Sequence, residues 1–198
     1  VYAGIRSTSN KKYLQDTRIN FIDLAFSDSE KLKKQLKEYN FKCVFHLAGL
    51  TKAKRNEDFE RVNYEFTKNL VDAIDVNTTK LIFLSSFAAH GPGNEKTFAK
   101  AKVSDINNPN TAYGFSKLKA EEYINSNFKG KYVILRPTGV YGPRETDYFV
   151  FFQTIHNHLE PYLGFVPQHL TFVYSKDLVE VCIKAFESDV SEKTYFVS

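Results

Sequence analysis

A chain of 198 residues, 42% apolar and 15% aromatic, can bury a sizeable core, which excludes a disordered polymer and suits one domain, or one domain with part of another. Its formal charge of +4 comes from interspersed Lys, Arg, Asp and Glu, so nucleic acid is not implied as a partner, while an anionic small molecule is compatible with it. The two cysteines, Cys43 and Cys182, lack the number and spacing of a disulfide framework or zinc site, and no apolar run approaches the roughly 18 residues of a membrane span. A soluble, metal-free protein of the reducing cytoplasm is the expectation.

Along the chain, short apolar runs alternate with stretches of helical periodicity, the pattern of βαβ units around a parallel sheet. Residues 1–5 read as a strand and 19–22 as a second. A helix is predicted from Ser27, with Glu30 reaching back in a capping box and Leu32, Leu36 and Tyr39 on one face. Residues 43–47 form the next strand. A helix over 58–75 places Phe59, Val62, Phe66, Leu70 and Ile74 inward, and residues 80–84 follow as a strand whose "LIFL" is continuous in apolar residues, as burial on both faces requires. A long loop over 92–109 leads into a helix over 113–128, then a strand over 132–135. Less regular runs at 170–174 and 194–197 flank a helix after Ser175, with Leu178, Val179, Cys182 and Phe186 inward.

In an open parallel sheet a ligand sits beyond the carboxyl ends of the strands. Those ends carry "HLAG", "SSFAAHG" and "RPTGVYG", where small and polar residues concentrate. In "NTAYGFSKLKAEEY", Tyr113 and Lys117 lie four apart at the start of a helix and share one face. A free phenol, with a pKa of about 10, is useless as a base near neutrality. An ammonium about 4 Å away favours the phenolate by up to about 4 kcal/mol at an effective dielectric near 20, or roughly three units. Alone, such a pair arises often by chance. Two hydroxyl residues, Ser85 and Ser86, end the preceding strand where a substrate would arrive, and strand, Ser-Ser, loop and Tyr-x-x-x-Lys in that order are far rarer than either part.

Taken in order, "FHLAG", "NYEFTKNLVDA", "LSSFAAHG", "NTAYGFSKLKAEEY", "LRPTGVYGPR" and "FVYSKDLVEVCIKA" resemble the extended short-chain dehydrogenase/reductase family of NAD(P)-dependent epimerases, dehydratases and reductases, over nearly the whole chain. The resemblance implies a Rossmann-like, doubly wound parallel α/β sheet with part of a small C-terminal substrate-binding region: residues 1–144 and 170–198 in the dinucleotide domain, and 145–169 in the substrate region. By it, Tyr113 is the general acid or base, Lys117 lowers its pKa and holds the nicotinamide ribose, and Ser86 orients the substrate oxygen, with Ser85 alongside in the cofactor set. Asp23 and Leu24 would meet the adenine, the backbone of Leu47, Ala48 and Gly49 the pyrophosphate and ribose, and Pro137 and Thr138 the nicotinamide amide. His46 reads as a hydrogen-bonded core residue, and Arg144 either contacts a phosphate or pairs with Glu145.

The family's Gly-x-x-Gly-x-x-Gly turn has no counterpart, and the chain opens inside an apolar run and holds no methionine. It reads as an excerpt starting at the family's second strand, which should bind cofactor poorly by itself. That strand ends in Arg6 and Ser7 in place of the acid that would bind a ribose 2′-hydroxyl, so NADP is favoured over NAD. Phe87 and Ala88 follow Ser86 where sugar-nucleotide dehydratases carry Asp-Glu, so dehydration is demoted. The expected activity is hydride transfer at an alcohol or ketone carbon, by an epimerase or a reductase, with a nucleotide sugar or related small molecule as substrate. A non-catalytic dinucleotide-binding scaffold is the alternative. The resemblance also implies a homodimer built from the helices at 58–75 and 113–128.

Overall fold

The computed structural model describes residues 1–94, 97–159 and 169–198; parts of the loop at 92–109 and of the substrate region at 145–169 lie outside the described residues. Among the described residues the strands are β1 (Tyr2–Ile5), β2 (Asn20–Asp23), β3 (Cys43–His46), β4 (Lys80–Leu84), β5 (Tyr132–Pro137), β6 (Gly139–Tyr141), β7 (Phe172–Tyr174) and β8 (Lys193–Val197). Six α-helices join them: α1 (Ser29–Lys37), α2 (Asn56–Phe59), α3 (Phe66–Ala73), α4 (Ala112–Asn127), α5 (Asp147–His156) and α6 (Ser175–Glu187). Every pairing is parallel, so the α/β, Rossmann-like reading holds.

The strands do not form one continuous ladder. β3-β4-β5-β8 pair in that order, while β1-β2 and β6-β7 are separate pairs. The β1-β2 unit is held to the rest through α1, which packs on α3; Asn69 Nδ2 donates to Phe26 O at 2.8 Å across this contact.

β4 and β5 are buried on both faces. Leu81, Phe83 and Ile134 join Leu32, Leu70, Val71 and Ile124 on one side, and Ile82, Val133 and Leu135 join Val173, Leu178, Cys182 and Val197 on the other. This is the period of two acting on strands covered by helices above and below.

Three local expectations need correction. Asp28 caps α1, accepting from Lys31 N at 3.0 Å, where Ser27 was expected; a carboxylate one residue later reaches the same unpaired amides. The plain helix over 58–75 is broken by a π-helical turn, Glu60–Glu65, between α2 and α3. That turn adds a residue to the winding, so the fully buried positions after Phe59 are the polar Asn63 and Thr67, while Val62 and Phe66 are half-buried. On α6, Leu178 and Cys182 face the core, but Val179 and Phe186 are exposed. Burial of the thiols, far more than the Cys182 neighbourhood, pushes Cys43 up to about 12, and it raises Cys182 too; both are free.

Candidate active site

The site forms where β3 and β4 end against the first two turns of α4. Thr111 caps α4, accepting from Gly114 N at 3.0 Å. Gly114 lets the helix approach the end of β4 closely, since a Cβ there would lie 2.4 Å from Ala88 O. A similar approach holds the loop before the helix: Gly91 adopts φ +95°, and a Cβ on it would meet Asn108 O at 2.1 Å. Ser86 is thereby set beside Tyr113. Its Oγ accepts from Ala88 N at 3.1 Å, and its side chain is close enough to the phenol to lower the phenol's pKa.

Lys117 is buried, and its Nζ donates to Leu84 O at 2.7 Å while lying 4.5 Å from the centre of the Phe83 ring. Burial pulls its pKa down to about 8, against the opposing pull of the Glu121 carboxylate. The Tyr113 phenol moves opposite to the sequence expectation. Burial raises it, the Ser86 side chain lowers it less, and Tyr148 from α5 adds to the rise. The reason is geometric: helical spacing places Lys117 and Tyr113 on one face, but the ammonium is drawn to the carbonyl at the end of β4.

Three donor hydrogens belong to that ammonium, and Leu84 O takes one of them. Near it lies Gly49, in the exposed stretch Leu47-Ala48-Gly49 that follows β3. A Cβ on Gly49 would stand 3.7 Å from Lys117 Nζ and 3.1 Å from Asn63 Oδ1. Such a set of open backbone and partly used ammonium suits the ribose hydroxyls of a dinucleotide; the glycine-rich pyrophosphate turn is not in this sequence.

Asn63, from the π-helical turn, fixes this loop. Its Oδ1 accepts from Leu50 N at 2.7 Å, and its Nδ2 donates to Leu50 O and to Ser116 Oγ, each at 3.0 Å. Below it, Thr67 donates to Asn63 O at 2.7 Å and pairs with His46 Nε2 at 2.7 Å. Burial and the nearby Lys117 hold His46 down at about 3, so it is a neutral core residue. Sequence reading missed Asn63; the available signal was two polar residues, Asn63 and Thr67, four apart inside an otherwise apolar face.

Ser86, Tyr113, Lys117 and Gly49 are thus neighbours. Ser85 differs: it is buried and its hydroxyl donates to Glu121, so only its backbone faces the strand end. Pro137 is buried, and Thr138 N donates to Val197 O at 3.0 Å, at the end of β5. Asp23 and Leu24 end β2; Asp23 is exposed, with its carbonyl accepting from Gln35 Nε2 at 3.0 Å, and Leu24 packs on Gly4. Arg6 and Ser7 are exposed in a turn closed by Arg6 N on Ser9 Oγ at 3.0 Å. Among the described residues, no hydrogen bond or ion pair ties Arg6, Ser7 or Asp23 to Tyr113. Arg144 stacks over Tyr13 at 4.3 Å. Among the described residues, no helix is long and apolar enough to cross a membrane, and no group of three His, Cys, Asp or Glu could hold a metal.

The model of the family described as NAD dependent epimerase/dehydratase matches residues 1–197. The chain is 26% identical to an ADP-L-glycero-D-manno-heptose-6-epimerase of Brachyspira hyodysenteriae, over 73% of this chain and 47% of that protein. It is 29% identical to a 3 beta-hydroxysteroid dehydrogenase/Delta 5-->4-isomerase of monkeypox virus, over 71% of this chain and 44% of that protein. The chain therefore spans about half the length of these curated relatives. In fold it resembles the UDP-glucuronic acid 4-epimerase of Bacillus cereus solved with UDP-glucuronic acid and NAD, at a TM-score of 0.76 and 21% identity, covering 95% of this chain and 62% of that one.

Proposed function

Because the chain belongs to the NAD dependent epimerase/dehydratase family, we propose that it serves an NAD(P)-dependent epimerase or reductase acting at an alcohol or ketone carbon of a nucleotide sugar. The observation that carries this reading is the meeting of Ser86, Tyr113 and Lys117 at the end of β4. A bound dinucleotide supplies the hydride acceptor and donor. The Ser86 hydroxyl holds the substrate oxygen, and Tyr113 beside it takes or returns its proton. Lys117 offers its remaining donors to the ribose, near Gly49 in the stretch Leu47-Ala48-Gly49. A tyrosine whose pKa is raised by burial keeps its proton until substrate and cofactor arrive, which suits the reducing direction.

Residues 1–144 and 170–198 form the dinucleotide part in this reading, with Asp23 and Leu24 toward the adenine, Pro137 and Thr138 toward the nicotinamide, and Arg6 and Ser7 favouring NADP. Residues 145–169 contribute to the substrate side, a reading supported by the rise that Tyr148 adds to the phenol's pKa. The free thiols fit a reducing cytoplasm. A homodimer would pair the outer faces of the helical segments at 58–75 and 113–128, where Phe115 is 58% exposed, and Phe115→Glu should then halve the mass seen in sedimentation. The decisive test is Tyr113→Phe: nucleotide-sugar turnover should almost vanish while cofactor affinity stays close to that of the unaltered protein. Undiminished turnover would remove the phenol from the mechanism.

A further inference from the structure

Behind the site lies a buried ionic network that the proposed chemistry does not use. Arg136, from β5, meets Glu121 of α4 with Nε at 3.0 and 3.1 Å from its two oxygens and Nη2 at 2.6 Å. Their side chains are 4% and 2% exposed. The Ser85 hydroxyl also donates to Glu121, and Arg136 Nη1 reaches Asn107 Oδ1 at 2.9 Å, in the loop that leads to the cap of α4.

A buried ion pair is weak evidence for stability, because desolvating two charges offsets most of their attraction. Its placement is more informative. Two successive residues at the end of β4 are tied to two successive turns of one helix: Leu84 O to Lys117, and the Ser85 hydroxyl to Glu121. The next residue is Ser86. On the same helical face, Tyr113, Lys117 and Glu121 follow one another at intervals of four.

Resting on the reaction proposed above, we infer that Glu121, locked by Arg136, is a positioning residue that sets Ser86 against Tyr113 and keeps the Lys117 ammonium charged. Among the described residues, the charged and titratable groups that act on that ammonium are Glu121 on its own helix and His46 from β3, with Arg136 held on Glu121. His46 is neutral, so among the described residues Glu121 is the carboxylate that offsets the burial of Lys117. A pair serving packing alone would leave lysine ionisation untouched when replaced by neutral groups of similar size.

The test is Glu121→Gln combined with Arg136→Met, which leaves no lone buried charge. Lys117 is titrated through its 13Cε resonance, assigned by its loss in Lys117→Ala. Its midpoint, about 8 in the unaltered protein, should fall, since Glu121 raises it and the Arg136 charge lost with it does not act on Lys117 measurably in the fold. An unmoved midpoint in a folded double variant overturns the inference. Should that variant not fold, Ser85→Ala removes only the hydroxyl tether: kcat should fall about tenfold with KM unchanged, and an unchanged kcat overturns the inference equally. The lysine titration needs no turnover, so an active Tyr113→Phe protein would defeat the proposed reaction while leaving this result standing on its own.

Discussion

Lys117→Met offers a quantitative check on the electrostatics of the site. Lys117 is 4% exposed, and its pKa of about 8 in the fold lies below the 10.5 of a free lysine. The unfolded chain therefore binds more protons than the folded one between those values, and stability rises with pH across that window. The shift of about 2.5 units corresponds to about 3 kcal/mol at about 1.4 kcal/mol per unit. This penalty is fully present below pH 8 and is relieved as pH approaches 10.5. Methionine cannot titrate, and it leaves Leu84 O without its donor, a cost that does not vary with pH. The informative quantity is thus the difference in unfolding free energy between the two proteins, measured by urea denaturation from pH 6.5 to 10.5. It should be flat below pH 8 and then turn in favour of the unaltered protein by about 3 kcal/mol in total. A difference that stays flat through pH 10 would refute a depressed Lys117. Turnover should be lost in the methionine variant at every pH.

Asn63→Ala should destabilise the protein by about 2–4 kcal/mol, by leaving both polar backbone groups of Leu50 unpaired, and hydrogen exchange at the Leu50 amide should accelerate in step. Gly114→Ala forces a Cβ to within 2.4 Å of Ala88 O; thermal unfolding should show a loss of about 1–3 kcal/mol for such overpacking, with kcat lowered more than affinity for cofactor. Arg6→Ala should reduce affinity for NADPH about tenfold and leave NADH nearly unchanged in fluorescence titrations, as expected for loss of a charge-assisted contact. A preference for NADPH that survives this change would remove Arg6 from phosphate recognition.

Much of this molecule is written in local pattern. Continuous apolar runs such as "LIFL" marked strands covered on both faces, and the four-residue spacing of Tyr113 and Lys117 placed both on one side of α4. The order of strand, Ser85-Ser86, loop and helix brought Ser86 and Tyr113 into view together, because a βα unit returns the chain to the same sheet edge. Other features depended on partners far away in sequence. Nothing near Lys117 foretold that its ammonium would settle on Leu84 O, or that burial would raise the phenol of Tyr113. Ser85 turned inward because Glu121 waits there, held by an arginine from another strand. The π-helical turn made Asn63 the clamp on Leu50, where helical periodicity alone pointed to Val62. Spacing along a chain determines which side chains share a face; the charge and hydrogen-bond partner each one meets depend on what the tertiary fold packs opposite, since desolvation and Coulomb energies are set by all neighbours within several ångströms.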